Sequence, residues 1–371
     1  MFFNIPTVIF AEQNCIENHS DFFKKYSGKA LIVTGNNSAL KTGALDDITN
    51  ALDKCGISHR VFSGVKENPT DDLAAEIAEY GIKEKVNFVI GLGGGSPIDA
   101  AKSASVLIAN PQCDKTILVT KIEVPHVPVI AIPTTAGPAA EVTQYASIII
   151  SSNNEKRSVT HRIFPDAAFI DIKYLKYVPG YIFNNTITEI LAHLIESKLN
   201  RRATHFTKMM CDYGLKLWSE AASEIKTDNI PQTYGETLSD DAYTLFSLAS
   251  ILGGMSIAHT GTAIPHAISN CLICDYGVPR GQSVGVFITA YIRNTHDDKM
   301  IYQILNLMGL SNLQELEEKI SILIKKIEIK SEDRARYIQT MSSSKARNCP
   351  YTETPEVLAD FFDNNMLLDI I

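Results

Sequence analysis

The run "GLGGGSPIDAAK" at residues 91–102 decides how this chain is read. A β-rich stretch ends there in glycines. Ser96 is expected at the N-cap of a following helix, Pro97 at the position where a helix tolerates proline best, and Asp99 in the first turn. Consecutive glycines let the backbone turn tightly and approach a ligand closely. Just beyond them, the first N–H groups of the helix lack internal partners and carry the positive end of its dipole. That chemistry suits a diphosphate. The spacing is not G-x-G-x-x-G, because Ser96 stands where the last glycine would be, and no Gly-Lys-Ser/Thr follows to make a Walker loop. A turn built only for packing is the plainer alternative.

Outward from this run, the first half alternates β-rich segments, "ALIVTG" (30–35), "HRVFSG" (59–64), "NFVIGLGGGS" (87–96), "VPVIAIPTT" (127–135) and "AAFIDI" (167–172), with helical ones such as "DDLAAEIAEYGIKEK" (71–85). The opening "MFFNIPTVIFAEQN" also reads as a strand: it lacks the basic region of a secretory leader and is interrupted by Asn4 and Pro6. Such alternation predicts an α/β domain with a parallel, doubly wound sheet, whose ligands bind at the carboxyl ends of the strands. Beyond residue 182, β-branched runs give way to long amphipathic stretches at 184–199, 205–222, 241–259 and 312–326. The expected division is an α/β domain at 1–180 and an all-helical one at 181–371, parted near "YVPGYIF" (177–183).

Composition narrows the function classes. At 371 residues, 45% hydrophobic and 20% charged, the chain has material for two packed domains. Its net charge of −8 is spread without a basic stripe, which argues against a nucleic-acid partner. No stretch approaches the roughly 18 uninterrupted apolar residues of a membrane helix, so no membrane association and a cytoplasmic location are expected. Seven cysteines, mostly scattered, suit a reducing compartment. The one C-x-x-C, Cys271 and Cys274, has no second pair nearby to make a zinc site.

Other motifs join the glycine run: "ENPT" (67–70), "IPTTAGPAAEVT" (132–143), "KRSVTHRIFPDAAFID" (156–171), the segments around His193 and His266, and "GVPRG" (277–281). Together they resemble the iron-containing, group III alcohol dehydrogenase family, related in fold to dehydroquinate synthase, and the resemblance covers nearly the whole chain. It implies hydride transfer between NAD(P)(H) and a small alcohol or aldehyde, in a homodimer or larger assembly. By position, Gly94, Gly95 and Ser96 would cradle the cofactor pyrophosphate and Asp99 would lie near the nicotinamide end. Thr134, Thr135 and Lys156 would line the cofactor cleft, and Asn68 would border the adenosine. After the "ALIVT" run stand Gly35, Asn36, Asn37 and Ser38, with Lys41 nearby and no carboxylate to bind a ribose 2′-hydroxyl or repel a 2′-phosphate. NADP is therefore expected to be preferred, with NAD as the alternative.

The family holds a divalent metal, iron or zinc, with an Asp and three His. The resemblance places that set at Glu189 and His193, four apart and so on one helical face, at His266, and at Arg280 in the last ligand's slot. Arg has no lone pair and stays protonated, so it cannot coordinate. A dication and a guanidinium about 5 Å apart repel by roughly 6–7 kcal/mol at an effective dielectric near 20, so metal and an inward Arg280 should largely exclude each other. His259, seven residues before His266, is a candidate replacement ligand. The family's "A-G-T-G-S-E" is here Ala136, Gly137, Pro138, Ala139, Ala140 and Glu141. Three readings follow. One is a reductase retaining metal on Glu189, His193 and His266. Another is an enzyme without metal, in which Arg280 supplies the electrophile or clamps an anionic aldehyde and Glu189 holds it by a salt bridge; Arg280 and His266 are the catalytic candidates. The third is a non-catalytic nucleotide-binding paralogue with an interaction or regulatory role.

Overall fold

The computed structural model describes residues 3–226, 230–343 and 348–371. The chain forms two compact units: Asn4–Val178 with Thr233–Glu236, and Met1–Phe3 with Pro179–Gln232 and Thr237–Ile371.

The first unit is built on strands β1 (Val8–Ala11), β2 (Lys29–Thr34), β3 (Ser58–Phe62), β4 (Phe88–Gly93), β5 (Val129–Pro133), β6 (Ser147–Ile150), β7 (Glu155–Ser158) and β8 (Ala167–Ile170). Six of them make one sheet in the order β1-β8-β5-β4-β2-β3, every pairing parallel. β6 and β7 form a separate antiparallel pair, which the sequence reading did not anticipate. Successive residues of a strand face opposite sides of a sheet. Ala30, Ile32, Phe88, Ile90, Ile130 and Ile132 accordingly pack with Ile48 and Leu52 of the helix Ala44–Lys54. Leu31, Val33, Val89 and Val129 pack with Ala74 and Ile77 of the helix Asp71–Glu84 and with Ala101 and Ala104 of the helix Gly95–Ala109. Helices thus cover both faces, as the near-continuous apolar runs of β4 and β5 require.

The strand order locates a switch point. From β2 the chain steps outward to β3, then returns to β4 on the other side of β2 and continues through β5 to β8. The loops after β2 and β4 therefore diverge at neighbouring strand ends, which is where open parallel sheets bind ligands.

The second unit is helical, with long helices Gly180–Leu199, His205–Ala222, Asp240–Thr260, Ile264–Tyr276 and Leu313–Leu323. Gly180–Leu199 is buried on nearly every side from Thr186 onward, and Trp218 Nε1 donates to its Ile187 carbonyl at 2.7 Å. Asp240–Thr260 corrects one expectation: by length and composition it could cross a bilayer, but 67% of that window is buried inside this unit, as in a core helix. A short parallel pair, β9 (Ile327–Ile329) and β10 (Leu368–Ile370), departs from the all-helical expectation. Three-residue strands are too short to leave a readable period.

Candidate functional site

The glycine run makes its turn as expected, but the helix starts two residues early. Gly94 is the N-cap, with extended backbone and no side-chain bond, and the helix runs from Gly95 to Ala109. Ser96, expected at the cap, is instead the second helical residue, and its hydroxyl accepts from the Asn68 N–H at 3.1 Å. Asp99 correspondingly lies beyond the first turn and accepts from the Ser147 N–H at 3.1 Å. Pro97 has no N–H, so the first-turn donors left without helical partners are those of Gly94, Gly95 and Ser96.

Each glycine is small for its own reason. Gly93 has φ of 143°, and a Cβ there would meet Pro97 Cγ at 2.8 Å; at Gly95 it would meet Pro138 Cβ at 2.7 Å. At Gly94 it would meet nothing nearer than Thr135 Oγ1 at 3.4 Å. Packing explains the first and third glycines, whereas a methyl at Gly94 would make only ordinary contact with Thr135. The Thr135 hydroxyl is buried and has no hydrogen-bond partner, and the neighbouring Thr134 N–H donates to the Gly93 carbonyl at 2.8 Å.

Two other segments meet this loop. Asn68, in the left-handed region at φ 56°, links Ser96 to the half of the unit that carries Lys156, whose ammonium donates to the Asn68 side-chain oxygen. From the end of β2, a Cβ on Gly35 would lie 3.9 Å from Pro97 Cγ, and one on Gly93 would lie 3.6 Å from Ser38 Oγ. The exposed Asn36 follows at once. The predicted cofactor residues are thus brought together around the switch point. A residue the sequence reading passed over, Lys102, is fully buried and donates to the carbonyls of Thr143 (2.7 Å) and Tyr145 (2.8 Å). Burial pushes its ammonium down to about 8, against the pull of Asp99 and Glu141. In the altered "AGPAAE" segment Ala139 holds φ 55°, a conformation suited to the family's glycine there.

In the helical unit, Glu189, His193 and His266 converge as expected. One donor atom from each lies within 4.8 Å of the others, and all three residues are buried. The His193 and His266 rings stack at 4.9 Å with planes 12° apart. His266 Nε2 is buried without a hydrogen-bond partner. A carboxylate and two imidazoles closing on one point fit a divalent ion with three protein ligands.

Arg280 begins the short helix Arg280–Gly285, after Pro279. The next residue, Gly281, lies so close to the helix Gly180–Leu199 that a Cβ would fall 1.8 Å from the Asn185 carbonyl oxygen, and Asn185 Oδ1 accepts from the Gln282 N–H at 2.7 Å. This contact presents Arg280 to Glu189, one turn beyond Asn185: Arg280 Nε stands 3.7 Å from Glu189 Oε1. Its side chain is 26% exposed. Among the described residues, no side chain or carbonyl accepts from its terminal nitrogens. His259 does not join the cluster. Its ring stacks on Phe3 at 4.4 Å and its Nδ1 meets the Met255 carbonyl, so the two-turn spacing from His266 is broken where Gly261 ends its helix. Glu196, which sequence reasoning missed, holds His266; its signal was the spacing 189, 193, 196 on one helical face.

Known proteins resemble this chain over both units. The profile described as iron-containing alcohol dehydrogenase matches residues 6–172, and that of the Fe-containing alcohol dehydrogenase family, C-terminal, matches 184–340. Lactaldehyde reductase of Escherichia coli is 28% identical over 72% of this chain and 69% of its own length. Sulfoacetaldehyde reductase of Bilophila wadsworthia is 28% identical over 68% of this chain and 64% of its own. The crystal structure of an iron-containing alcohol dehydrogenase from Thermotoga maritima superposes with a TM-score of 0.86 at 29% identity, covering 97% of this chain and 98% of that one. With both profiles matched and the fold shared almost end to end, the chain belongs to the iron-containing alcohol dehydrogenase family, whose alcohol dehydrogenases and aldehyde reductases are oxidoreductases.

Proposed function

We propose that this protein is an NADP(H)-dependent reductase of small aldehydes that carry an anionic group. The observation that carries the reading is Arg280: its guanidinium stands 3.7 Å from Glu189, with a partly exposed side chain and terminal nitrogens that have no partner among the described residues. A guanidinium so placed offers a planar pair of donors to a carboxylate, sulfonate or phosphonate. The name of one relative, sulfoacetaldehyde reductase, denotes an aldehyde of this kind.

The N–H groups of Gly94, Gly95 and Ser96 suit a pyrophosphate, and the acid-free loop at Gly35 and Asn36 leaves room for a 2′-phosphate. Glu189, His193 and His266 would hold a divalent ion, which when bound supplies a Lewis acid for the carbonyl oxygen. Reduction adds a hydride to the carbonyl carbon and a proton to its oxygen, so positive charge beside that oxygen lowers the barrier. With an ion on Glu189, Arg280 would turn from that carboxylate to the acidic end of the substrate, so that guanidinium and ion need not face each other.

Metal analysis of the purified protein, joined to NADPH oxidation with paired anionic and neutral aldehydes, tests this. Turnover that favours the anionic member of each pair is expected. NADPH binding with no turnover across the panel would contradict it and point to a nucleotide-binding paralogue instead.

A further inference from the structure

Glu196 is a fully buried carboxylate that the reaction proposed above does not use. On the reading that Glu189, His193 and His266 hold an ion, we infer that Glu196 is a positioning residue: it sets the tautomer of His266 and so aims a lone pair at that ion.

The inference follows from counting donors and acceptors. Glu196 Oε1 accepts from the Ala263 N–H at 2.9 Å and the His266 N–H at 3.3 Å, and Oε2 is bound to His266 Nδ1. A carboxylate only accepts, so Nδ1 must carry the hydrogen. The lone pair of the neutral ring is then on Nε2. That nitrogen is buried with no hydrogen-bond partner and belongs to a ring stacked on His193 in the converging cluster. Histidine ligands generally depend on such a carboxylate behind the ring.

Glu196 has a second task. The helix Ile264–Tyr276 has Ala263 at its N-cap, which brings no side-chain acceptor. Glu196 serves that helix start from another helix, so the ring and the backbone that bears it are fixed together. Glu189, His193 and Glu196 stand at i, i+4 and i+7 of one helix, which lets a single face supply two ligands and the support of the third.

The test is Glu196→Gln. A glutamine oxygen can serve the two backbone N–H groups, but its NH2 then faces Nδ1 and drives the ring hydrogen to Nε2. The full chain is labelled with 15N-histidine and kept metal-free in mildly alkaline buffer. Long-range 1H–15N spectra should then show the Nδ1–H tautomer for His266, assigned by its loss in His266→Asn. Glu196→Gln should show the Nε2–H tautomer and bind Zn²⁺ about ten- to a hundredfold more weakly. A wild-type ring protonated at Nε2 overturns the inference even if the variant fails to fold, and so does a variant with unchanged tautomer and zinc affinity. A wild-type protein that takes up no zinc but keeps the Nδ1–H tautomer contradicts the metal reading and supports the role of Glu196.

Discussion

An ion held by Glu189, His193 and His266 would compete with Arg280 for one carboxylate, and the distance between Arg280 and Glu189 sets the scale of that competition. Arg280 Nε lies 3.7 Å from Glu189 Oε1. At an effective dielectric near 20, unit charges at that separation attract by about 4–5 kcal/mol. The Arg280 side chain is a quarter exposed, so solvent screening removes roughly half, leaving about 2 kcal/mol that an incoming cation must overcome. About 2 kcal/mol corresponds to roughly thirtyfold in a dissociation constant. Arg280→Met keeps an unbranched apolar stem and removes the charge. Its Zn²⁺ Kd, measured by competition with a chromophoric chelator, should fall at least about thirtyfold below that of the wild type, because relief of the direct repulsion between ion and guanidinium adds to the loss of the salt bridge. Arg280→His, which adds a lone pair, should bind tighter still. Equal affinities in wild type and Arg280→Met would refute the reasoning, because they would mean that the guanidinium exerts no hold on Glu189.

Other substitutions separate packing from ligand binding. Gly94 has φ of −71° and room for a methyl, so Gly94→Ala should leave the thermal midpoint unchanged while raising the NADPH Kd at least tenfold by fluorescence titration; unchanged binding would return the loop to a packing role. Gly95→Ala, which places a methyl 2.7 Å from Pro138 Cβ, should cost about 1–3 kcal/mol in denaturant unfolding. For the cofactor, kcat/KM should favour NADPH over NADH in the wild type, and Asn36→Asp should reverse that preference by repelling the 2′-phosphate. A tenfold wild-type preference for NADH would end the NADP assignment.

Much of this was legible in the chain, because the determinants are local. The β4 turn and its helix follow from glycines beside an apolar run, and helical spacing puts on one face the Glu189 and His193 that the family resemblance singled out. What stayed hidden depends on contacts distant in sequence. The helix start moved to Gly95, with Gly94 as an extended cap, which frees Ser96 for Asn68. The switch point between β2 and β4 is a property of strand order, which no single strand encodes. His259 had the right spacing from His266, but Gly261 ends its helix between them and the ring turns to Phe3. Glu196 looked like one more acid on a helix until Ala263 and His266 were brought to it from 67 and 70 residues away.

The central claim, that Arg280 selects an acidic aldehyde, is tested most directly by one ratio. For an anionic aldehyde and its neutral isostere, kcat/KM with NADPH is measured in the wild type and in Arg280→Met at equal zinc occupancy. The account predicts that the wild type prefers the anionic member, and that the variant loses this preference mainly through a higher KM for that member. A ratio that is the same in both proteins would contradict it.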